Sequence, residues 1–293
     1  MGDKIGKPVD HARSELGEFT PGMFVNVMYT SPTDGSRLKI NFLNGDDNLL
    51  CVNPRYDECS LVLNSKLGGG WQHEECPNDF PLDKGKDVEL MISAEENSFE
   101  LYSEKFNYFS YSYLYRDEVT NVKCIQCEGN GTNLLAFVGK VLPDFDVGKA
   151  VYIHGRAPTE DGFNIDLVPS LPSHYKSDIV CLHIGVRFAQ GVVIRNNNTK
   201  GKWGNEEKWN GMPFRPGSPF AVIIYAQKGG FEISVNGKHF TKFNYRSSTP
   251  LQSDMCVQLV RVPHIEKIEF IEHELLIFDG LKIVLYCVLY CIL

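Results

Sequence analysis

The 293-residue sequence lacks any concentration of basic charge: 29 lysines and arginines lie scattered against 37 acidic residues, for a net charge of −8. No footprint for a phosphate backbone exists, which argues against nucleic acid as a partner. Met1 to Glu18 is polar and contains no apolar stretch, so it does not read as a secretory signal. The expected location is cytoplasmic, or extracellular by an export route that needs no signal peptide. Nine cysteines, an odd number without the dense spacing of small secreted domains, read as mostly reduced thiols. The Asn130-Gly131-Thr132 and Asn197-Asn198-Thr199 sequons would then not be glycosylated. No acidic calcium loop is present, and no nucleophile stands beside a base. Helical periodicity is almost absent. No catalytic residue, metal or cofactor is expected.

What is present is strand after strand. Short alternating runs occur at Phe24 to Thr30, Arg37 to Leu43, Asn48 to Tyr56, Ser60 to Ser65, Asp87 to Ser93, Ser98 to Glu104 and Val122 to Cys127. The second half repeats the series from Lys149 to Phe270, and Asn236-Gly237 between two runs is the signal of a type I′ hairpin. The spacing suits antiparallel β-sandwiches, and the length exceeds what one core usually fills. The domain boundary is expected as a short linker near Lys140 to Pro143.

The halves also share a polar constellation. Arg55, Asn64, Trp71 and Glu74 recur as Arg187, Asn196, Trp203 and Glu206, each pair 132 positions apart. Glu75/Glu207, Pro81/Pro213, Ile92/Ile224 and Phe99/Phe231 keep the same step, so core and turn positions are duplicated with the polar ones. Earlier in each half the register slips, and the second copy carries extra residues around Pro169 to Ser177, as expected of a surface loop. On an extended strand Cys51, Asn53 and Arg55 share one face, as do His183, Gly185 and Arg187, and that face is expected to be wet. Guanidinium, amide, imidazole and carboxylate can bond sugar hydroxyls in fixed directions while an indole covers the apolar C–H patch of a pyranose. An isolated Trp near an Arg–Glu pair is usually a core indole beside a surface ion pair of little consequence. Repetition of the whole set at equal spacing weighs against that reading.

These residues resemble the galectin family, whose recognition domain carries His-x-Asn-Pro-Arg, then Asn, then Trp-x-x-Glu-x-Arg. The match runs from about Phe19 to Gly139 and from Asp144 to Phe270, similar to tandem-repeat galectins of the nematode type. The resemblance implies an all-β fold of two galectin-type (jelly-roll-like, concanavalin-like) antiparallel β-sandwiches in tandem. The division is a polar arm at 1–18, recognition domains at 19–140 and 141–271, and an apolar tail at 272–293. It implies that His, Asn and Arg hold the axial 4-hydroxyl of galactose, that the second Asn holds the 6-hydroxyl, that Trp stacks, and that Glu with the last basic residue reaches the adjoining sugar. In the first domain the carriers are Asn53, Arg55, Asn64, Trp71 and Glu74, with Cys51 in place of His and Cys76 in place of the last Arg. In the second they are His183, Arg187, Asn196, Trp203, Glu206 and Lys208, with Gly185 in place of Asn. Gly185 is expected to leave a void that water or a larger sugar substituent fills. The second site is expected to be the stronger, because it keeps the imidazole and a cation.

The expected function is therefore non-enzymatic: two unequal sites for β-galactoside-containing glycans, on glycoproteins or glycolipids, able to bridge them. The rival expectation is a galectin-fold interaction protein with degenerate sites and a protein partner, motivated by Cys51, Cys76, Gly185 and Lys208. A glycosidase is disfavoured because each half offers one suitable carboxylate where hydrolysis needs an opposed pair. Cys124-x-x-Cys127 lacks a second ligand pair for a metal. The aromatic run Phe106, Tyr108, Phe109, Tyr111, Tyr113 and Tyr115 reads as strand and core. Leu275 to Leu293 is largely apolar, but Asp279 and Lys282 would each cost roughly 2.5–3.5 kcal/mol at a bilayer centre, so membrane contact by the tail is not favoured.

Overall fold

The computed structural model describes residues 11–78, 80, 82–103, 109–169, 179–208, 211–247, 251 and 254–271. The tail, the loop expected after Pro169, and Phe106 and Tyr108 lie outside the described residues. The chain divides into two compact units, whose main division falls between Lys140 and Val141.

The first unit contains β1 (His11–Leu16), β2 (Met23–Thr30), β3 (Leu38–Asn44), β4 (Asp47–Arg55), β5 (Ser60–Leu67), β6 (Gly70–Trp71), β7 (Asp87–Ala94), β8 (Ser98–Ser103), β9 (Phe109–Leu114), β10 (Cys124–Gly129) and β11 (Thr132–Pro143). One antiparallel sheet has the order β1-β10-β3-β4-β5-β6 and the other β11-β2-β7-β8-β9. Their inner faces meet through aromatic rings: Phe42 of β3 lies 5.0 Å from Phe99 of β8. Ser65 on β5 reaches across to the Tyr113 hydroxyl of β9 at 2.8 Å. Alternation supplies the pattern, since side chains two apart on a strand enter the same layer.

The second unit repeats this plan with β12 (Ala150–Arg156), β13 (Phe163–Pro169), β14 (Val180–Arg187), β15 (Val192–Thr199), β16 (Lys202–Trp203), β17 (Glu207–Lys208), β18 (Pro219–Gln227), β19 (Gly230–Val235), β20 (Lys238–Asn244), β21 (Asp254–Val260) and β22 (His264–Ile271). Its sheets run β20-β19-β18-β12-β22 and β21-β13-β14-β15, with both β16 and β17 paired to β15. Phe163 of β13 stacks on Phe220 of β18 at 4.9 Å across the core. The Asn236-Gly237 hairpin forms as read, with both residues at positive φ.

Two segments differ in character from expectation. Part of the polar arm is strand: His11–Leu16 pairs with β10 in the register His11↔Glu128. Arg13 and Glu15 of this strand pair with each other at its surface, and so short a polar run carries no apolar alternation to mark it as a strand in sequence. The linker expected at Lys140 to Pro143 is the end of β11, which pairs with β2 up to Lys140↔Met23. Cys124 and Cys127 are both buried on β10, and their odd spacing places them on opposite faces, so the pair cannot converge on one ion. Phe109 and Tyr113 of the aromatic run are buried in β9, as expected of core.

Candidate sugar-binding surfaces

Both indoles are presented by the same device. In the first unit Gly68 and Gly69 both take positive φ and turn β5 back into β6, bringing Trp71 opposite Lys66. In the second, Lys200 and Gly201 do so, bringing Trp203 opposite Asn198. A two-residue turn with left-handed backbone at both positions matches the right-handed twist of the strands, which fixes where the ring stands. Trp71 is 55% and Trp203 52% exposed, unusual for the largest apolar side chain.

The face expected to meet solvent is the floor of a groove rather than a flat wet surface, with Arg55 and Arg187 half-buried. Cys51, Asn53, Asn64, His183 and Asn196 are all buried, as the floor beneath an exposed indole and carboxylate. In the first unit Trp71, Glu74, Arg55, Asn53, Asn64 and Cys51 line one groove of about 390 Å³. Arg55 donates to Glu74 at 2.7 Å and to Glu58 at 3.1 Å. Oriented to satisfy both its ends, the Asn53 amide donates to the Leu38 carbonyl at 3.0 Å and accepts from Arg55 Nε at 3.3 Å. Asn53 thus braces Arg55 from below. Cys51 contributes no charge, because burial pushes its thiol up to about 12.

The second unit has lost that brace and kept the imidazole. His183 Nδ1 lies 2.6 Å from Asp166 Oδ1 on the neighbouring strand β13, directly opposite in register. The Asp166 carboxylate on Nδ1 fixes the orientation of the ring and turns Nε2 over Gly185. The ring also meets the Trp203 indole edge to face at 5.1 Å. Gly185 leaves no void: a Cβ built there would lie 2.7 Å from His183 Nε2. The expectation of free space failed because the imidazole, held by Asp166, lies over the glycine. Without an amide at 185, Arg187 stands 3.5 Å from Glu206, while Lys208 approaches the other carboxylate oxygen at 3.0 Å. The Lys208 hydrogen bond is the chief cause holding the Glu206 carboxyl below its ordinary value, with Arg187 assisting.

Each unit also contains a clamp that the sequence reading missed. Arg116 donates to Asn64 Oδ1 at 3.2 Å, to the His73 carbonyl at 2.7 Å and to Glu75 Oε1 at 2.7 Å. Arg246 donates to Asn196 Oδ1 at 3.0 Å, to the Asn205 carbonyl at 2.8 Å and to Glu207 Oε1 at 2.7 Å. The rings beneath them are Tyr113 and Phe243, at 4.9 and 4.8 Å. Asn64 donates in turn to the Gln72 carbonyl and Asn196 to the Gly204 carbonyl, both at 3.0 Å. One N–H of each amide therefore fixes the segment after Trp, and the second N–H is what a ligand can use. The signal for the clamp was a step of 130 rather than 132, which relates Tyr113, Tyr115 and Arg116 to Phe243, Tyr245 and Arg246.

A model of the galactoside-binding lectin family matches residues 13–132 and 136–270. The chain belongs to this family, the galectins, and carries its domain twice. Galectins are lectins, not enzymes. The chain is 28% identical over 272 residues to a 32 kDa β-galactoside-binding lectin of Haemonchus contortus, covering 87% of this chain and 93% of that one. It is 27% identical over 253 residues to a 32 kDa β-galactoside-binding lectin of Caenorhabditis elegans, covering 80% and 88%. A solved double variant of human galectin-16 aligns with 45% of this chain and 94% of its own at 25% identity, with a TM-score of 0.40.

Proposed function

We propose that the two units are unequal sites for β-galactoside-containing glycans and that one chain bridges two glycoconjugates. The observation that carries the reading is the pair of half-exposed indoles, each beside an Arg–Glu pair and over a buried Asn. An indole held rigid by its turn covers the apolar face of a pyranose with little entropy left to lose. In the second unit His183, Arg187 and the spare N–H of Asn196 bond the sugar hydroxyls, while Glu206 and Lys208 meet the adjoining residue. In the first unit Arg55, Asn53, Asn64 and Glu74 do so without the imidazole. Two modest sites on one chain gain strength on a multivalent surface through effective concentration. Bridging at a cell surface requires the protein outside the cell.

The test uses the full-length chain and its Trp71→Ala and Trp203→Ala variants on a lactose matrix and in agglutination of galactoside-coated beads. Wild type is retained and agglutinates. Each single variant loses agglutination, and Trp203→Ala loses the more retention, by about tenfold or more given ~1.5–3 kcal/mol for a buried aromatic contact. Unchanged retention in both variants would overturn the assignment of the sites. A stable protein complex indifferent to lactose, with no retention by wild type, would favour the rival reading.

A further inference from the structure

The clamp that holds the site asparagine is completed by different chemistry in the two units, and the difference singles out Arg195. In the first unit the two oxygens of Glu75 are both engaged: Oε1 accepts from Arg116 at 2.7 Å and Oε2 from the Tyr111 hydroxyl at 2.8 Å. In the second unit the position of Tyr111, at the step of 130 that relates the arginines, is Thr241. Its hydroxyl donates to the Lys242 carbonyl, away from the clamp. Glu207 Oε1 keeps its arginine, Arg246, at 2.7 Å. The charge facing Oε2 is now Arg195, with Nη2 at 4.0 Å.

Arg195 is an unusual choice for its place. It is 1% exposed, on the inward side of β15, paired in register with Glu207. Its counterpart at the step of 132 is Leu63, which is fully buried and bridges to Glu75 in the same way. The guanidinium donates to the Val193 carbonyl at 3.1 Å and lies 5.8 Å over the ring of Phe240. Burying a guanidinium where its twin domain has a leucine is unfavourable unless an anion is held against it, and Glu207 is the carboxylate directly opposite.

We propose that Arg195 is a positioning residue of the second site, doing through charge what Tyr111 does through a hydroxyl in the first. It fixes Glu207, which fixes Arg246, which fixes the Asn196 side-chain Oδ1 and the Asn205 backbone carbonyl in the segment after Trp203. Leu63 with Tyr111, and Arg195 with Thr241, are two solutions to one requirement. In each pair one member faces the second carboxylate oxygen, Tyr111 on Glu75 and Arg195 on Glu207. This inference rests on the glycan reading for its affinity readout but not for its structural one.

The experiment uses the full-length chain carrying Trp71→Ala, so that binding reports the second site. Into it go Arg195→Leu, Arg195→Lys, and Arg195→Leu combined with Thr241→Tyr. Lactose affinity is measured by titration calorimetry, and the side-chain amide resonances of Asn196 are followed by ¹H–¹⁵N spectra. Arg195→Leu weakens lactose binding about fivefold and moves the Asn196 amide, as expected if roughly one hydrogen bond's worth of order is lost. The double variant, which rebuilds the first unit's arrangement, restores both to near the parent values, and Arg195→Lys falls between. Recovery with Thr241→Tyr but not with Thr241→Phe in the same background separates positioning by the hydroxyl from mere packing. Loss without that recovery, or an Asn196 amide indifferent to Arg195→Leu, overturns the proposal. A parent that fails to bind lactose refutes the glycan reading instead, and the amide resonances then decide the role of Arg195 alone.

Discussion

The two units began from one plan and have each kept a different half of the site. The first retains the chain Asn53–Arg55–Glu74, with the guanidinium held at 2.7 Å from its carboxylate, but offers a buried thiol where the imidazole belongs. The second retains His183, oriented by Asp166, but gives up the amide brace, and its Arg187 stands 3.5 Å from Glu206. The cross-strand neighbours differ as well. Cys51 faces Asn41 in register, and His183 faces Asp166. The lesson is that the site consists of two separable parts, an imidazole held by its neighbouring strand and a guanidinium held by its own.

The comparison breaks most decisively at what the units share. Replacing Arg116 by Met removes three hydrogen bonds from a part-buried network, replacing Arg246 removes four, and either should cost about 1–3 kcal/mol. A fall in melting temperature of roughly 5–10 °C in the affected unit is expected, read by calorimetry. Equal falls for the two variants would confirm that the clamp is common structure. A fall in only one would show that the units no longer depend on it alike.

Exchanging the unlike halves has a smaller effect. Cys51→His together with Asn41→Asp should strengthen lactose binding by the first unit about fivefold, near 1 kcal/mol, and Cys51→His alone by less, because the ring then lacks its orienting carboxylate. Gly185→Asn, although it restores the family motif, should weaken the second unit, since its Cβ would sit 2.7 Å from His183 Nε2. Calorimetric titration with lactose checks both. A gain from Gly185→Asn would mean that the imidazole moves freely and that its place over the glycine has no role.

The smallest effect concerns charge at the rim. The Glu206 carboxyl is lowered chiefly by its hydrogen bond to Lys208. Its contribution is therefore complete above the ordinary carboxylate range and is lost as the pH falls through the lowered value. The Lys208→Met variant should titrate at higher pH than wild type when the Glu206 carboxylate carbon is followed by NMR. Glu74, whose ion-pair partners differ, gives the control. No difference between variant and wild type would assign the lowering to Arg187.

Much of this was legible in order of residues. Alternation over short runs marks strands because a strand presents its side chains to opposite layers, and a repeat of 132 marks a duplicated domain because insertions are excluded from packed strands. Position along the chain thus determined the sandwiches, the hairpin at Asn236-Gly237 and the two indoles as a pair. It did not reveal Arg116 and Arg246, which lie 52 and 50 positions from the asparagines they hold. Nor did it reveal Asp166 beneath His183, or that the space above Gly185 is filled. Each of these depends on which strands lie side by side and on how a side chain turns to satisfy a buried partner. Sequence separation is blind to both, and only the folded sheets bring those atoms within hydrogen-bonding distance.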